Sequence, residues 1–432
     1  MVVSVSTGWI ARLSAAIYTF IALPLILNAL GADGFAIYLY ATNFPTWLVL
    51  AMLGAQNSPA YFLARSARRG DSTLLRARLG TALILPICLV ILCTIVATTL
   101  ILLRVVGAGI ATPGLADSTL AALLTSLWLT AFLVIGGVFE NMAFGLGRAY
   151  VFNFVRIGAL SLSLIGVVAA AMTSKNVALF VFVSIAPQVF LLFTLGSYVM
   201  RGAGVMPLFE WRFLRHTLSR INTAVTSGFF LMMLPFVINV QLGPTIIGAV
   251  HGAAEVSTLL VLFRVLIFVA AFFAAITATS WPLLGRMHTV GDTQRLRRNA
   301  WLLIGGCAAL IAVIFLFAAI FGSRALHLWL PGLDLGTPGL IHAFACYLSL
   351  YLWNTLWLAI LCATGKIAVA GRLSALEAAL GLTIGLLLFV HYQSAGYLIG
   401  LIAGTLVTTS LFGPIAGIRA LAAGSDAKDR AQ

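Results

Sequence analysis

Gly70-Asp71-Ser72-Thr73-Leu74-Leu75-Arg76-Ala77-Arg78 is answered 221 positions later by Gly291-Asp292-Thr293-Gln294-Arg295-Leu296-Arg297-Arg298. Each copy follows a long apolar segment with a proline near its end, Pro59 and Pro282, and precedes another apolar segment. The same offset carries the other hydrophobic stretches of the first half roughly onto those of the second. Two tandem copies of a multi-span unit are the pattern of a transporter, with a substrate path between the halves.

Composition agrees. The 432 residues are 62% hydrophobic and only 8% charged, with a mean hydropathy of +1.10. Soluble domains carry about 25% charged residues. Apolar stretches long enough to cross a hydrocarbon core of about 30 Å recur from end to end. Trp9 to Ala29 reads as a full span rather than a cleavable signal. The five cysteines all lie in apolar stretches without CxxC spacing and read as small buried hydrophobes. The six histidines make no paired-ligand arrangement, so no metal and no cofactor is expected.

Twelve spans are predicted, near 9–29, 36–63, 79–103, 119–140, 153–173, 177–200, 221–241, 253–281, 300–320, 340–362, 370–390 and 395–417. The connections alternate in charge. One side collects 21 of the 25 basic residues, from Arg12 and the Arg65–Arg78 cluster to Arg419, Lys428 and Arg430. The other side holds Arg104, Lys175 and Arg324, while Arg264 falls within a span. Such asymmetry places the basic side and both termini in the cytoplasm. The net charge of +14 is then a topology signal and an attraction to anionic lipid, not a nucleic-acid footprint.

Six spans per half make the repeat parallel. The fold class expected is an all-α polytopic membrane protein, with 12 transmembrane helices in two six-helix lobes around a central cavity. The lobes are residues 1–205 and 206–432. The joining segment, 201–220, contains Phe209-Glu210-Trp211-Arg212-Phe213-Leu214-Arg215 and reads either as an amphipathic surface helix or as a plain linker.

Several short motifs resemble those of Wzx-type polysaccharide flippases, in the multidrug/oligosaccharidyl-lipid/polysaccharide exporter superfamily. They are Pro24-Leu25, then Leu30-Gly31-Ala32-Asp33-Gly34-Phe35-Ala36-Ile37-Tyr38, and the basic Ala64–Asp71 loop. Phe263-Arg264-Val265, Trp281-Pro282-Leu283 and Ala363-Thr364-Gly365-Lys366 are similar to second-half counterparts. The resemblance implies alternating access and an undecaprenyl-diphosphate-linked glycan as substrate, moved across a bacterial inner membrane for exopolysaccharide or O-antigen synthesis. Protons or sodium are candidate exchange partners that the sequence leaves open, and a polysaccharide polymerase is a candidate protein partner. The multidrug branch usually carries an acid in span 1, and here span 1 has none.

Moving an anionic headgroup needs positive charge in a wet cavity. Arg264 is the foremost candidate, because an intramembrane arginine must face a cavity or a partner. Arg12 can take up phosphate at the inner end of span 1 or simply anchor the helix to headgroups. Glu140 and Glu377 can carry a proton or form structural ion pairs, and Glu255 sits near the outer mouth of span 8. Asn43, Asn222, Asn239, Tyr351 and Asn354 can contact sugar hydroxyls or rings. The alternative for each is interhelical glue or an interfacial role. Pro24, Pro45 and Pro235 are candidate helix breaks.

The reading is therefore a lipid-linked oligosaccharide flippase without enzymatic chemistry. Its alternatives are a multidrug-type exporter of the same fold and, in a different class, a membrane-embedded polymerase or ligase. The longest outer connection, 321–339, offers only His327 and Asp334 for acid–base work.

Overall fold

In hydrocarbon a helix satisfies every backbone N–H and C=O internally, so apolar runs of about 20 residues become helices. The computed structural model describes residues 2–51, 72–103, 116–146, 148–202, 204, 223–333 and 338–429, and none of these forms a strand. The first helix, Val2–Asn43, bends at Gly31 (φ 70°) into α1 (2–30) and α2 (32–43). A positive φ of this kind suits glycine, which has no Cβ to clash. Next come α3 Ser72–Leu102, α4 Ala116–Gly145, α5 Ala149–Thr173 and α6 Val177–Gly202. The second half holds α7 (223–251), α8 Ala253–Val290, α9 Thr293–Trp329 and α10 Pro338–Ala363. The helix Ile367–Thr405 bends at Gln393 (φ 50°), separating α11 (367–392) from α12 (394–429).

Nine helical stretches among the described residues are long and apolar enough to cross a membrane. Two of them contain the bends at Gly31 and Gln393 and hold two spans each, while α3 adds the shorter apolar stretch Ile87–Leu102. All twelve expected spans are represented, and the protein is a multi-pass, all-α membrane protein.

The boundaries differ from expectation in an instructive way. The helix α9 starts at Thr293, inside the repeated basic motif rather than after it, and α3 already includes Ser72 of the first copy. In the second copy Gly291 (φ 75°) ends α8, and the Asp292 N–H donates back to the Met287 carbonyl. Asp292 then caps α9, its side chain accepting from the Arg295 N–H at 3.1 Å. Gly-Asp is thus a stop followed by a start. The same i→i−5 bond closes α4, from the Arg148 N–H to the Ala143 carbonyl, and α10, from Lys366 to Leu361. The outer connection is shorter than expected, because α9 runs on to Trp329.

Proline acts differently at each site. Pro24 sits inside α1 without ending it, Pro45 opens a 3₁₀ turn at Phe44–Trp47, and Pro235 opens a π-helical stretch, Pro235–Leu242. Loss of the proline N–H frees a carbonyl, and a local change of turn, tighter at Pro45 and wider at Pro235, accommodates it.

The chain divides into two compact units, Met1–Thr226 with Thr245–Ser257, and Ser227–Pro244 with Thr258–Gln432. The boundary expected at 205/206 and the Phe209–Arg215 segment lie outside the described residues. In the first unit α5 is tied to α6 by Ser163 Oγ donating to the Ser184 carbonyl, 3.1 Å, and to α1 by Asn153 Nδ2 donating to Thr7, 3.0 Å. Tyr40 is buried and donates to the Thr245 carbonyl at 3.0 Å.

In the second unit α11 and α12 touch backbone to backbone. A Cβ on Gly400 would lie 2.3 Å from the Gly385 nitrogen, and one on Gly404 2.5 Å from the Gly381 nitrogen. Small residues at four-residue spacing allow this approach, the usual way for helices to associate without a hydrophobic drive between them.

Candidate functional site

The glycine seam fixes the register of the helices that carry the site. Pairing Gly381 with Gly404 sets Glu377, one turn earlier on α11, against the Thr405–Thr409 turn of α12. This turn is π-helical, Leu406–Ser410, which re-aims its hydroxyls. Glu377 is 2% exposed. Its carboxyl accepts from Thr405 Oγ1 at 3.2 Å, from Asn354 Nδ2 of α10 at 3.3 Å, and from Thr409 Oγ1. Asn354 Nδ2 also donates to Thr409 Oγ1 at 2.5 Å, and its carbonyl oxygen accepts from Ser410 Oγ at 2.8 Å. Three helices therefore converge on one carboxyl through hydroxyl and amide donors.

That carboxyl forms part of the wall of a cavity of about 310 Å³ in the second unit. Phe229, Met232, Trp281, Tyr351 and Leu358 are among the residues of the remaining wall, with Asn354, Thr277 and Thr355 as further polar points. Phe229 and Trp281 pack at 5.9 Å between ring centroids, and Tyr351 lies 6.3 Å from Tyr347. Aromatic walls with few polar groups are the ordinary make-up of a small-molecule pocket.

Against the glycine seam, the Tyr397 hydroxyl donates to the Asn239 carbonyl at 2.5 Å and so holds the π-helical stretch of α7. The Asn239 side chain is fully buried, and both its amide atoms lack a partner among the described residues. The absence of a side chain at Gly381 makes room for it, since a Cβ there would sit 2.7 Å from Nδ2.

Of the residues predicted from sequence, Glu377, Tyr351 and Asn354 are brought together at this cavity. Arg264 is not. It is partly exposed on α8, ten residues, about 15 Å, before the cavity-lining Ala274. Glu255 is exposed in the first turn of α8, where an acid complements the helix dipole. Glu140 is partly buried near the end of α4. Asn43 is 8% exposed and donates to Thr245 Oγ1 at 3.4 Å within the first unit. Arg12 lies 6.0 Å over the Trp9 ring, close enough to Arg156 for their charges to repel. Asn222 lies outside the described residues.

Comparison with solved structures places the fold. The sequence matches no family model, and it matches no curated protein. Solved structures do match over nearly the whole chain. An inward-facing multidrug resistance MATE family transporter of the MOP superfamily superposes with a TM-score of 0.74 at 16% identity, covering 96% of this chain and 99% of that one. A transporter of the same superfamily from Pyrococcus furiosus gives 0.70 at 16%, covering 98% and 96%; its binding pocket is described as reversed in polarity, suggesting a different function. The Vibrio cholerae MATE transporter VcmN gives 0.69 at 16%, covering 97% and 96%. The chain has the fold of the MATE transporters of the MOP superfamily.

Proposed function

We propose that this protein exports small amphipathic molecules by alternating access, exchanging a proton or sodium ion at Glu377. The observation that carries this reading is the aromatic cavity with a buried carboxyl in its wall. Phe229, Trp281 and Tyr351 offer faces to a flat apolar molecule, and rings of this kind also attract cations. Glu377, Thr405, Thr409 and Asn354 present oxygen atoms that suit a hard cation or a shuttled proton. The fold shared with multidrug transporters supports it. The acid missing from span 1 has a counterpart in span 11.

The test is efflux of ethidium from energised cells expressing the protein, with wild type compared against Trp281→Ala and Glu377→Gln. Export that collapses in both variants while protein levels hold supports the reading. Export equal to that of cells lacking the protein overturns it.

A second reading is favoured by a separate observation. Arg12 and Arg156 lie within electrostatic range of one another in the first unit, a local excess of positive charge that suits the diphosphate of a lipid-linked oligosaccharide. This agrees with the flippase resemblance of the sequence. It predicts lipid-linked saccharide trapped on the cytoplasmic leaflet in cells lacking the protein, released by wild type and by Trp281→Ala but not by Arg12→Gln.

A further inference from the structure

A second cavity, of about 460 Å³, is a groove between α5 and α6 of the first unit, lined by Tyr150, Phe154, Val155, Gly158, Leu191 and Leu195 among others. Its walls are almost wholly apolar side chains. Phe154 is 58% exposed, and a Cβ added to Gly158 would meet nothing within 4 Å, so the groove is open along α5. From Tyr150 to Gly158 it runs about 12 Å up from the start of that helix. In a membrane an apolar groove of this depth fills with a hydrocarbon chain.

What distinguishes this groove from ordinary lipid-facing surface is the charge at its lower end. Arg148 lies two turns before Val155 and Tyr198 two turns after Leu191, so each continues a groove-lining face of its helix. Both are exposed, Tyr198 to 74%. Arg148 is also the N-cap residue of the 25-residue α5, and its side chain makes no capping bond, so the partial positive charge of the helix terminus adds to the guanidinium. A second exposed cation, Arg201, stands in the last turn of α6, beside this end of the groove.

We propose that the α5–α6 groove is a binding site for one anionic phospholipid of the leaflet on the arginine-rich side. An acyl chain lies between Phe154 and Leu195, and the phosphate sits on Arg148 at the head of α5. The chain fixes the lipid, and the guanidinium selects a net negative headgroup over a zwitterionic one. This site is independent of the C-terminal cavity and of whatever passes through it.

The experiment is native mass spectrometry of the full-length protein in detergent, titrated with palmitoyl-oleoyl phosphatidylglycerol and, separately, with phosphatidylcholine of the same chains. Wild type should retain one phosphatidylglycerol in preference to phosphatidylcholine, by roughly five-fold for each basic residue at the headgroup. Arg148→Gln should cut that preference by roughly five-fold. Gly158→Phe, which fills open space, should reduce retention of both lipids, and Gly158→Leu should do so by less. An unchanged thermal unfolding temperature in detergent marks the variants as folded, and Gly158→Leu serves if Gly158→Phe is not. Equal retention of the two lipids by wild type, or retention unaffected by substitution at Arg148 and Gly158, would overturn the proposal.

Discussion

Replacing Glu377 by glutamine separates the carboxyl's chemistry from its structural role. The carboxyl accepts three hydrogen bonds, from Thr405, Thr409 and Asn354. Glutamine keeps the shape and one acceptor oxygen. With that oxygen toward Thr409 and Asn354, the new amide faces Thr405, whose hydroxyl can turn to accept. At most one bond of the set is weakened, and a net hydrogen bond contributes about 0.5–1.5 kcal/mol. The fold should therefore survive with a loss of about 1 kcal/mol, a shift of a few degrees or less in thermal unfolding in detergent. What glutamine cannot do at any pH is exchange a proton or balance a cation. Export of ethidium by reconstituted protein under an imposed ion gradient should fall at least ten-fold, while dye binding measured by fluorescence changes little. Glu377→Asp, which keeps the carboxyl but withdraws it by one methylene, should retain part of the activity. A Glu377→Gln variant that exports as fast as wild type, with the same dependence on the gradient, would refute the assignment of ion exchange to this residue.

Three further expectations concern the scaffold around that site. Gly404→Leu should prevent recovery of folded protein, because even its Cβ would meet the Gly381 backbone nitrogen at 2.5 Å, whereas Gly305→Ala, with nothing within 4 Å, should be recovered at wild-type yield. Tyr397→Phe orphans the buried Asn239 carbonyl and should destabilise by about 1–3 kcal/mol in detergent unfolding. Asp292→Ala removes the cap of α9 and should destabilise by about 1 kcal/mol; an unaltered unfolding curve would show that the start of this helix is set by its neighbours instead.

Much of this architecture was legible from hydropathy alone, since each hydrocarbon-length apolar run has only one way to satisfy its backbone. The repeat was legible for a related reason. Gly291 and Asp292 end one helix and begin the next, and such punctuation leaves a mark in sequence wherever two long helices meet. Glu377 could be named as a buried acid by its place in an apolar run. Its donors could not be. Asn354 and Thr409 lie 23 and 32 residues away along the chain, and only the close approach of α11 and α12 brings one of them within reach. The signal for that approach was present in the four-residue spacing of Gly381 with Gly385 and of Gly396 with Gly400 and Gly404. The bend at Gln393 was hidden, because glutamine carries no local preference for a positive φ. Arg264 shows the converse limit: a charge within an apolar run argues for a partner without saying which cavity, if any, it serves.

The contact between α11 and α12 has a mechanical side as well. With backbone against backbone and no side chains between them at Gly381, Gly385, Gly400 and Gly404, the two helices pack as one close pair. Thr405 and Thr409 are therefore held against Glu377 as parts of that pair. Asn354 belongs to a different helix, and its bond to the carboxyl is the joint in the linkage. A change in what the carboxyl holds would be passed on as a displacement of α10 and of the aromatic side chains it carries.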